Sequence, residues 1–257
     1  MKFNLALLTA MSLGALPAFA GPDNSKSAQP PVQPPVENPL GVTVTVGYDS
    51  DYVFRGVEFA KNLVSASIDY TAPINNIISV DLNAWYGSSA GDDAQPFAGG
   101  RSYEELDLAA TVSAKLGPVT VGVKYTYYDY LGRAGDYVKD INEVGLLLGT
   151  TVAGIDLAAG AYYDDTARGY YFEYSASHTF AITDRISIVP SVLVSHATHY
   201  YGVEGGNNVS LRLSIPVKLT KAATLTPYVA GNLPFDSLKD NGEQSRVYGG
   251  VALSVSF

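Results

Sequence analysis

NVSLRLSIPVKLT, residues 208–220, carries two faces: Val209, Leu211, Leu213, Ile215, Val217 and Leu219 fall on one side, Asn208, Ser210, Arg212, Ser214 and Lys218 on the other. A period of two over this length is a strand, apolar on one face and polar on the opposite face. RVYGGVALSVSF, residues 246–257, repeats the pattern, with Val247, Val251, Leu253, Val255 and Phe257 set against Arg246, Tyr248, Ser254 and Ser256. Working outward from these two, similar runs fall at 42–58, 62–73, 77–87, 102–116, 119–130, 140–153, 155–164, 170–182, 186–200, 208–219, 223–233 and 245–257. That makes about 12 strands in a single all-β domain over residues 41–257.

The connections alternate too. Short turns follow the even strands: INN at 74–76, Gly117-Pro118, Ala153-Gly154, TDR at 183–185 and TKAA at 220–223. Longer polar loops follow most odd strands: SSAGDDAQPFAGG at 88–100, LGRAGDYVK at 131–139, DTARG at 165–169, GVEGG at 202–206 and PFDSLKDNGEQ at 234–244. An even number of strands with short turns at one end and long loops at the other predicts a transmembrane up-and-down antiparallel β-barrel. A soluble sandwich would alternate in the same way with its polar face outward. It gives no reason for aromatic residues to gather at one end of the strands. Here Tyr52, Phe54, Trp85, Tyr86, Tyr127, Tyr163 and Tyr200 close odd strands, and Tyr170 opens an even one, which predicts an outer aromatic girdle.

Two N-terminal segments precede the barrel. Residues 1–20, MKFNLALLTAMSLGALPAFA, join a lysine, an apolar run and an Ala-Phe-Ala end, the layout of a cleaved signal peptide. Residues 21–40 hold six prolines and read as a disordered Pro-rich periplasmic tether. Export to the outer membrane follows, with membrane lipid as a partner.

In a membrane barrel the polar face lines the interior. Alternation assigns Asp49, Asp51, Arg55, Asp69, Asp81, Asp107, Lys124, Glu143, Glu173, Arg212 and Arg246 to the lumen. Acids outnumber bases there, which predicts a passage for small hydrophilic solutes that favours cations. The alternatives are a closed barrel with a structural or surface-interaction role, in which these charges pair, and, more distantly, a hydrolase at the outer rim. Net charge is −9 and becomes −10 once Lys2 leaves with the leader, so nucleic acid is not an expected partner. The chain has no cysteine and three histidines, His178, His196 and His199, with no metal-ligand spacing. Ser195 and His196 are adjacent and so point to opposite faces of their strand. No catalytic residue, metal or cofactor is expected, and nothing in the sequence sets an oligomeric state.

Three stretches also resemble a known family. SDYVFRGV at 50–57, LNAWYGSS at 82–89 before SYEELDL at 102–108, and VGVKYTYYDY at 121–130 before INEVGLLLG at 141–149 are similar to the TorF-type porins, bacterial outer-membrane barrels. The likeness covers roughly the first half of the mature chain and departs after Gly56, where VEFAKNLVSASIDY follows. It implies an outer-membrane location and a pore, with no assigned solute and no catalytic residue.

Overall fold

The computed structural model describes residues 40–90, 103–131 and 140–257. Residues 1–39, on which the expected leader and most of the expected tether fall, and the segments 91–102 and 132–139 lie outside the described residues.

Twelve antiparallel strands follow one another around a closed barrel. They are β1 (Val42–Phe54), β2 (Val57–Pro73), β3 (Ile78–Ser89), β4 (Glu104–Leu116), β5 (Val119–Tyr130) and β6 (Ile141–Val152). Then come β7 (Ile155–Asp164), β8 (Gly169–His178, resumed at Phe180–Ala181), β9 (Ser187–Tyr200), β10 (Val203–Ser214, resumed at Val217–Lys218), β11 (Ala223–Pro234) and β12 (Arg246–Ser256). The barrel closes where β1 pairs with β12, from Thr43 opposite Ser256 to Asp49 opposite Gly250. The start of the barrel meets the C-terminal strand at the short-turn end, with the Leu40 N–H donating to the Phe257 carbonyl at 2.8 Å. Closure leaves no unpaired strand edge, the condition a sheet must meet to cross hydrocarbon.

The two faces are sorted as alternation requires. Val44, Val46, Ile68, Leu82, Val112, Val123, Leu146, Leu211 and Val229 are exposed on the outside. Thr45, Ser65, Ser113, Thr126, Ser210, Thr226 and Ser254 are buried on the inside. So continuous an apolar exterior would be a liability in water and is what lipid requires.

The outer end departs from expectation in two hairpins. The stretch between the expected strands 42–58 and 62–73 is itself strand, because β2 begins at Val57. GVEGG at 202–206 is also mostly strand, and β9 turns into β10 through Tyr201 and Gly202, both at positive φ. In each case tertiary pairing overrides the weak strand preference of Gly, Asn and Glu. The β11–β12 loop contains one short helix, α1 (Asp236–Asp240), and its Leu238 is buried.

Candidate functional site: the occluded outer mouth

The β1–β2 hairpin does not stay in the wall. Its ladder drops the Ser50–Asn62 pair, and Asn62 takes a left-handed φ of +50°. Above that kink the faces exchange. Tyr52 and Ala60, opposite one another, are fully buried, whereas Lys61, opposite Asp51, is 49% exposed. A second irregularity follows between Tyr52 and Val53, and the tip leans into the lumen.

Both sides of the tip are therefore covered. Tyr52, Phe54 and Phe59 pack against Trp85, Tyr103 and Tyr128, which project inward from the β3–β5 side. Val53 packs with Ala230 and Tyr248 of β11 and β12, and Val57 packs in the cluster that holds Leu238 of α1. Glu105, fully buried, accepts hydrogen bonds from the hydroxyls of Tyr52, at 3.3 Å, and of Tyr103. An aromatic slab thus fills one half of the mouth.

The turn itself, Arg55-Gly56, reaches across to strands far from β1. The Arg55 guanidinium meets Glu143 of β6 bidentately, Nη1 to Oε2 at 2.5 Å and Nη2 to Oε1 at 2.9 Å. It also donates to the Tyr200 hydroxyl at 2.6 Å. The rings of Tyr171, Tyr162 and Tyr200 stand 4.3, 4.8 and 5.4 Å from its Cζ. Arg55 and Glu143 are 8% and 2% exposed. Such a pair persists out of water only with good geometry and further hydrogen bonds, both present here.

The carbonyls of the turn are capped from the opposite flank. Asn207 of β10 donates to the Arg55 carbonyl at 2.8 Å, and Asn232 of β11 donates to the Gly56 carbonyl at 3.0 Å. Asn208 links them, donating to Asn232 Oδ1 at 2.8 Å and accepting from Ser195 at 2.6 Å. Gly56 sits at φ +83°, and a Cβ there would come within 2.7 Å of Leu238 Cδ1 and 3.0 Å of Asn208 Cγ. No other residue fits that turn without displacing the wall behind it. At the rim, Arg246 donates to Glu58 and, at 3.0 Å, to Glu243, whose carboxyl burial pushes above its usual range.

Below the tip the lumen is hydrophilic. Asp49 accepts from Tyr228, over whose ring Arg212 lies at 3.5 Å. Asp69 accepts from Asn83 at 2.6 Å, Asp81 from Thr71 at 2.6 Å and Glu173 from Tyr162 at 2.8 Å.

Ten of the eleven residues assigned to the lumen thus stand inside the barrel or at its inner rim. Asp49, Asp69, Asp81, Asp107, Lys124, Glu173 and Arg212 line the wall, Arg55 and Glu143 form the crossing pair, and Arg246 sits at the rim. Asp51 is the exception, because the kink sets it opposite the exposed Lys61.

The girdle assignment needs four corrections. Tyr86, Tyr127, Tyr163 and Tyr170 face outward, Tyr127 donating to Asp140 at 2.8 Å. Tyr52 and Phe54 turn inward above the kink in β1. Tyr200 turns inward after His199, whose φ is +54°. Trp85, 2% exposed, shares the parity of Asp81 and Asn83, so its inward direction follows from plain alternation.

Among the described residues, neither Ser195 with His196 nor the rim acids Asp164 and Asp165 with His199 form a hydrolytic arrangement. Ser195 is buried in the lumen and donates to Asn208, while His196 stacks on Phe172 outside at a centroid distance of 4.5 Å. Asp164 accepts from Tyr201 at 2.9 Å and from two backbone N–H groups, and His199 lies 3.7 Å from Glu204. Asp165 accepts the Asn142 N–H, which holds its carboxyl below the usual range. Asp92 and Asp93 lie outside the described residues. Among the described residues no group of three His, Cys, Asp or Glu is placed to hold a metal ion.

Sequence reasoning missed Asn207, Asn208 and Asn232. Paired asparagines in a strand-forming run, where they are disfavoured, were the available signal.

Solved structures share the architecture. An outer-membrane channel from Pseudomonas putida F1 superposes with a TM-score of 0.56 at 11% identity, over 88% of this chain and 100% of that one. LpxR from Salmonella typhimurium gives 0.53 at 7% identity, over 84% and 100%. The KdgM porin gives 0.51 at 9% identity, over 84% and 99%. The likeness is one of fold. No family model matches the sequence, and no curated protein matches it.

Proposed function

We propose that this chain is an outer-membrane channel for passive diffusion of small hydrophilic solutes, cation-favouring, with its outer mouth held shut by its own first hairpin. In this reading the chain is exported by its leader and belongs with the TorF-type porins. The observation that carries the proposal is the contrast between the two halves of the lumen. The inner half presents carboxylates, amides and hydroxyls, as a water-filled passage does. The outer half is blocked by a hairpin whose tip is fixed by one ion pair and two amide caps. The polar fastenings of the turn can be exchanged for water, while the apolar packing of Tyr52, Phe54 and Phe59 sets how rarely the hairpin leaves.

The test is conductance of the refolded protein in planar bilayers. Wild type is expected to give discrete, infrequent openings. A potassium chloride gradient is expected to give a reversal potential on the cation-selective side. Asp49→Lys with Asp69→Lys should move that potential toward anions, because both carboxylates lie on the inward face below the tip. An unchanged potential would remove cation preference from the reading. Silence from wild type and from variants that free the tip would sink the channel. The surviving account would then be a closed structural barrel, which the depth of burial of Arg55 and Glu143 favours.

A further inference from the structure

The site that grips Arg55 is almost wholly built by the wall. Glu143 comes from β6, Tyr128 from β5, Tyr162 from β7, Tyr171 from β8 and Tyr200 from β9. Only Phe54, with its ring 4.9 Å from the Arg55 Cζ, belongs to the hairpin. Glu143, Tyr162 and Tyr171 also have wall partners of their own, whereas Tyr200 accepts from Arg55 and Tyr128 packs on Phe54. Tyr128 donates to Glu143 Oε1 at 3.1 Å, and Tyr162 is fixed by its 2.8 Å bond to Glu173. The Tyr162 ring lies flat over the neighbouring strand because Gly145 and Gly160 offer no Cβ. Added carbons there would stand 2.8 Å from its Cδ1 and 2.6 Å from its hydroxyl. Tyr171 packs between Tyr162 and Tyr200, with ring centroids 6.3 and 5.7 Å away.

Three ring faces around a carboxylate make a cation cage. The quadrupole of each ring attracts positive charge, and the carboxylate supplies a planar, bidentate partner. An ammonium would satisfy the rings and use one carboxylate oxygen. Only a guanidinium matches both oxygens at once.

We propose that this cage is the solute-recognition site of the channel, and that its ligand is a small guanidinium-bearing solute that takes the place of Arg55. The inference rests on the channel reading above and deepens it. In the closed state Arg55 is a tethered copy of the ligand. A free guanidinium can enter only when the tip has left, so its binding draws the population toward the open state. The tether presents Arg55 at an effective concentration of about millimolar or more, so competition by the free solute belongs in the same range.

The experiment has a binding arm and a conduction arm. For binding, Arg55→Met and wild type in detergent micelles are titrated calorimetrically with L-arginine and, as a neutral isostere, L-citrulline. Arg55→Met keeps the bulk of the stem and vacates the cage. L-arginine should bind it at least ten times more tightly than L-citrulline, and at least ten times more tightly than it binds wild type. Glu143→Gln placed in the Arg55→Met background should abolish the difference between the two probes. Should Arg55→Met fail to give a heat-modifiable barrel on gels, Arg55→Gln serves in its place. Equal binding of the two probes, or no binding, overturns the cage. For conduction, L-arginine on the outer side should raise the open probability of wild type, and L-citrulline should not. Selective binding to a protein that never conducts leaves the cage standing and removes the channel reading. Conduction with no selectivity in either arm removes the cage alone.

Discussion

On the proposed channel reading, Glu143→Gln is expected to raise the ratio of open to closed tips about a hundredfold. The substitution keeps the shape of the side chain but leaves the buried Arg55 guanidinium without its bonded carboxylate, Glu173 being the nearby acid that remains. Stranding one partner of a buried pair typically costs about 3–5 kcal/mol. A glutamine oxygen still accepts one hydrogen bond, so the lower end, about 3 kcal/mol, is the appropriate figure here. At ~1.4 kcal/mol per decade this is about two orders of magnitude in the ratio of closed to open tips. The barrel has a cheaper response than unfolding, since withdrawing the tip returns Arg55 to water. Denaturation midpoints should therefore move little while single-channel open probability rises steeply. Replacing both partners, Arg55→Met with Glu143→Leu, should restore closure, because an apolar pair of similar volume carries no stranded charge. A Glu143→Gln protein as closed as wild type would show that the ion pair does not hold the tip.

The second large effect concerns Trp85, the only tryptophan in the chain. Trp85→Ala should destabilise the folded barrel by about 3 kcal/mol in chemical denaturation, within the range for truncating a large buried aromatic. Tyr86→Ala, one residue along and facing lipid, should cost less than half of that. The indole packs on Tyr52 at a centroid distance of 5.8 Å, so it is the seat on which the hairpin rests. Its fluorescence is accordingly a built-in reporter. In wild type, brominated lipids should fail to quench it, which a girdle tryptophan could not escape. In Glu143→Gln its emission should shift to the red and become accessible to acrylamide as water replaces Tyr52. Strong quenching by brominated lipid would place Trp85 in the membrane interface and undo the inward assignment.

The barrel was legible in the sequence because the wall strands obey one two-residue rule away from their kinks, and because the long connections all fall at one strand end. Inside and outside could be read wherever a strand stays regular, as for Asp69, Asp81, Lys124 and Arg212. Legibility failed at kinks. A single left-handed residue, Asn62 in β2 or His199 in β9, exchanges the faces beyond it and carries Tyr52, Phe54 and Tyr200 inward. Trp85 failed for another reason. Its parity was plain, but proximity to a strand end suggested a girdle, and alternation is the stronger constraint. The occlusion was legible only as the alternative in which lumen charges pair. Its particular contacts join residues 88 to 176 positions apart, namely Arg55 with Glu143, Asn207 with Arg55, and Asn232 with Gly56, and the Asn207-Asn208 pair is the one local hint of them.

The closing element is two paired strands, not a floppy loop. Tyr52 opposite Ala60, Val53 opposite Glu58 and Phe54 opposite Val57 keep their backbone ladder inside the mouth. At their base the ladder skips the Ser50–Asn62 step, where Asn62 instead accepts from the Tyr48 hydroxyl and the Ala90 N–H. A paired lever hinged at its base has two resting positions and little between. Current through one molecule should therefore resemble a telegraph signal, with one amplitude and random dwell times. A loop that collapses by degrees would instead leave a smear of sublevels.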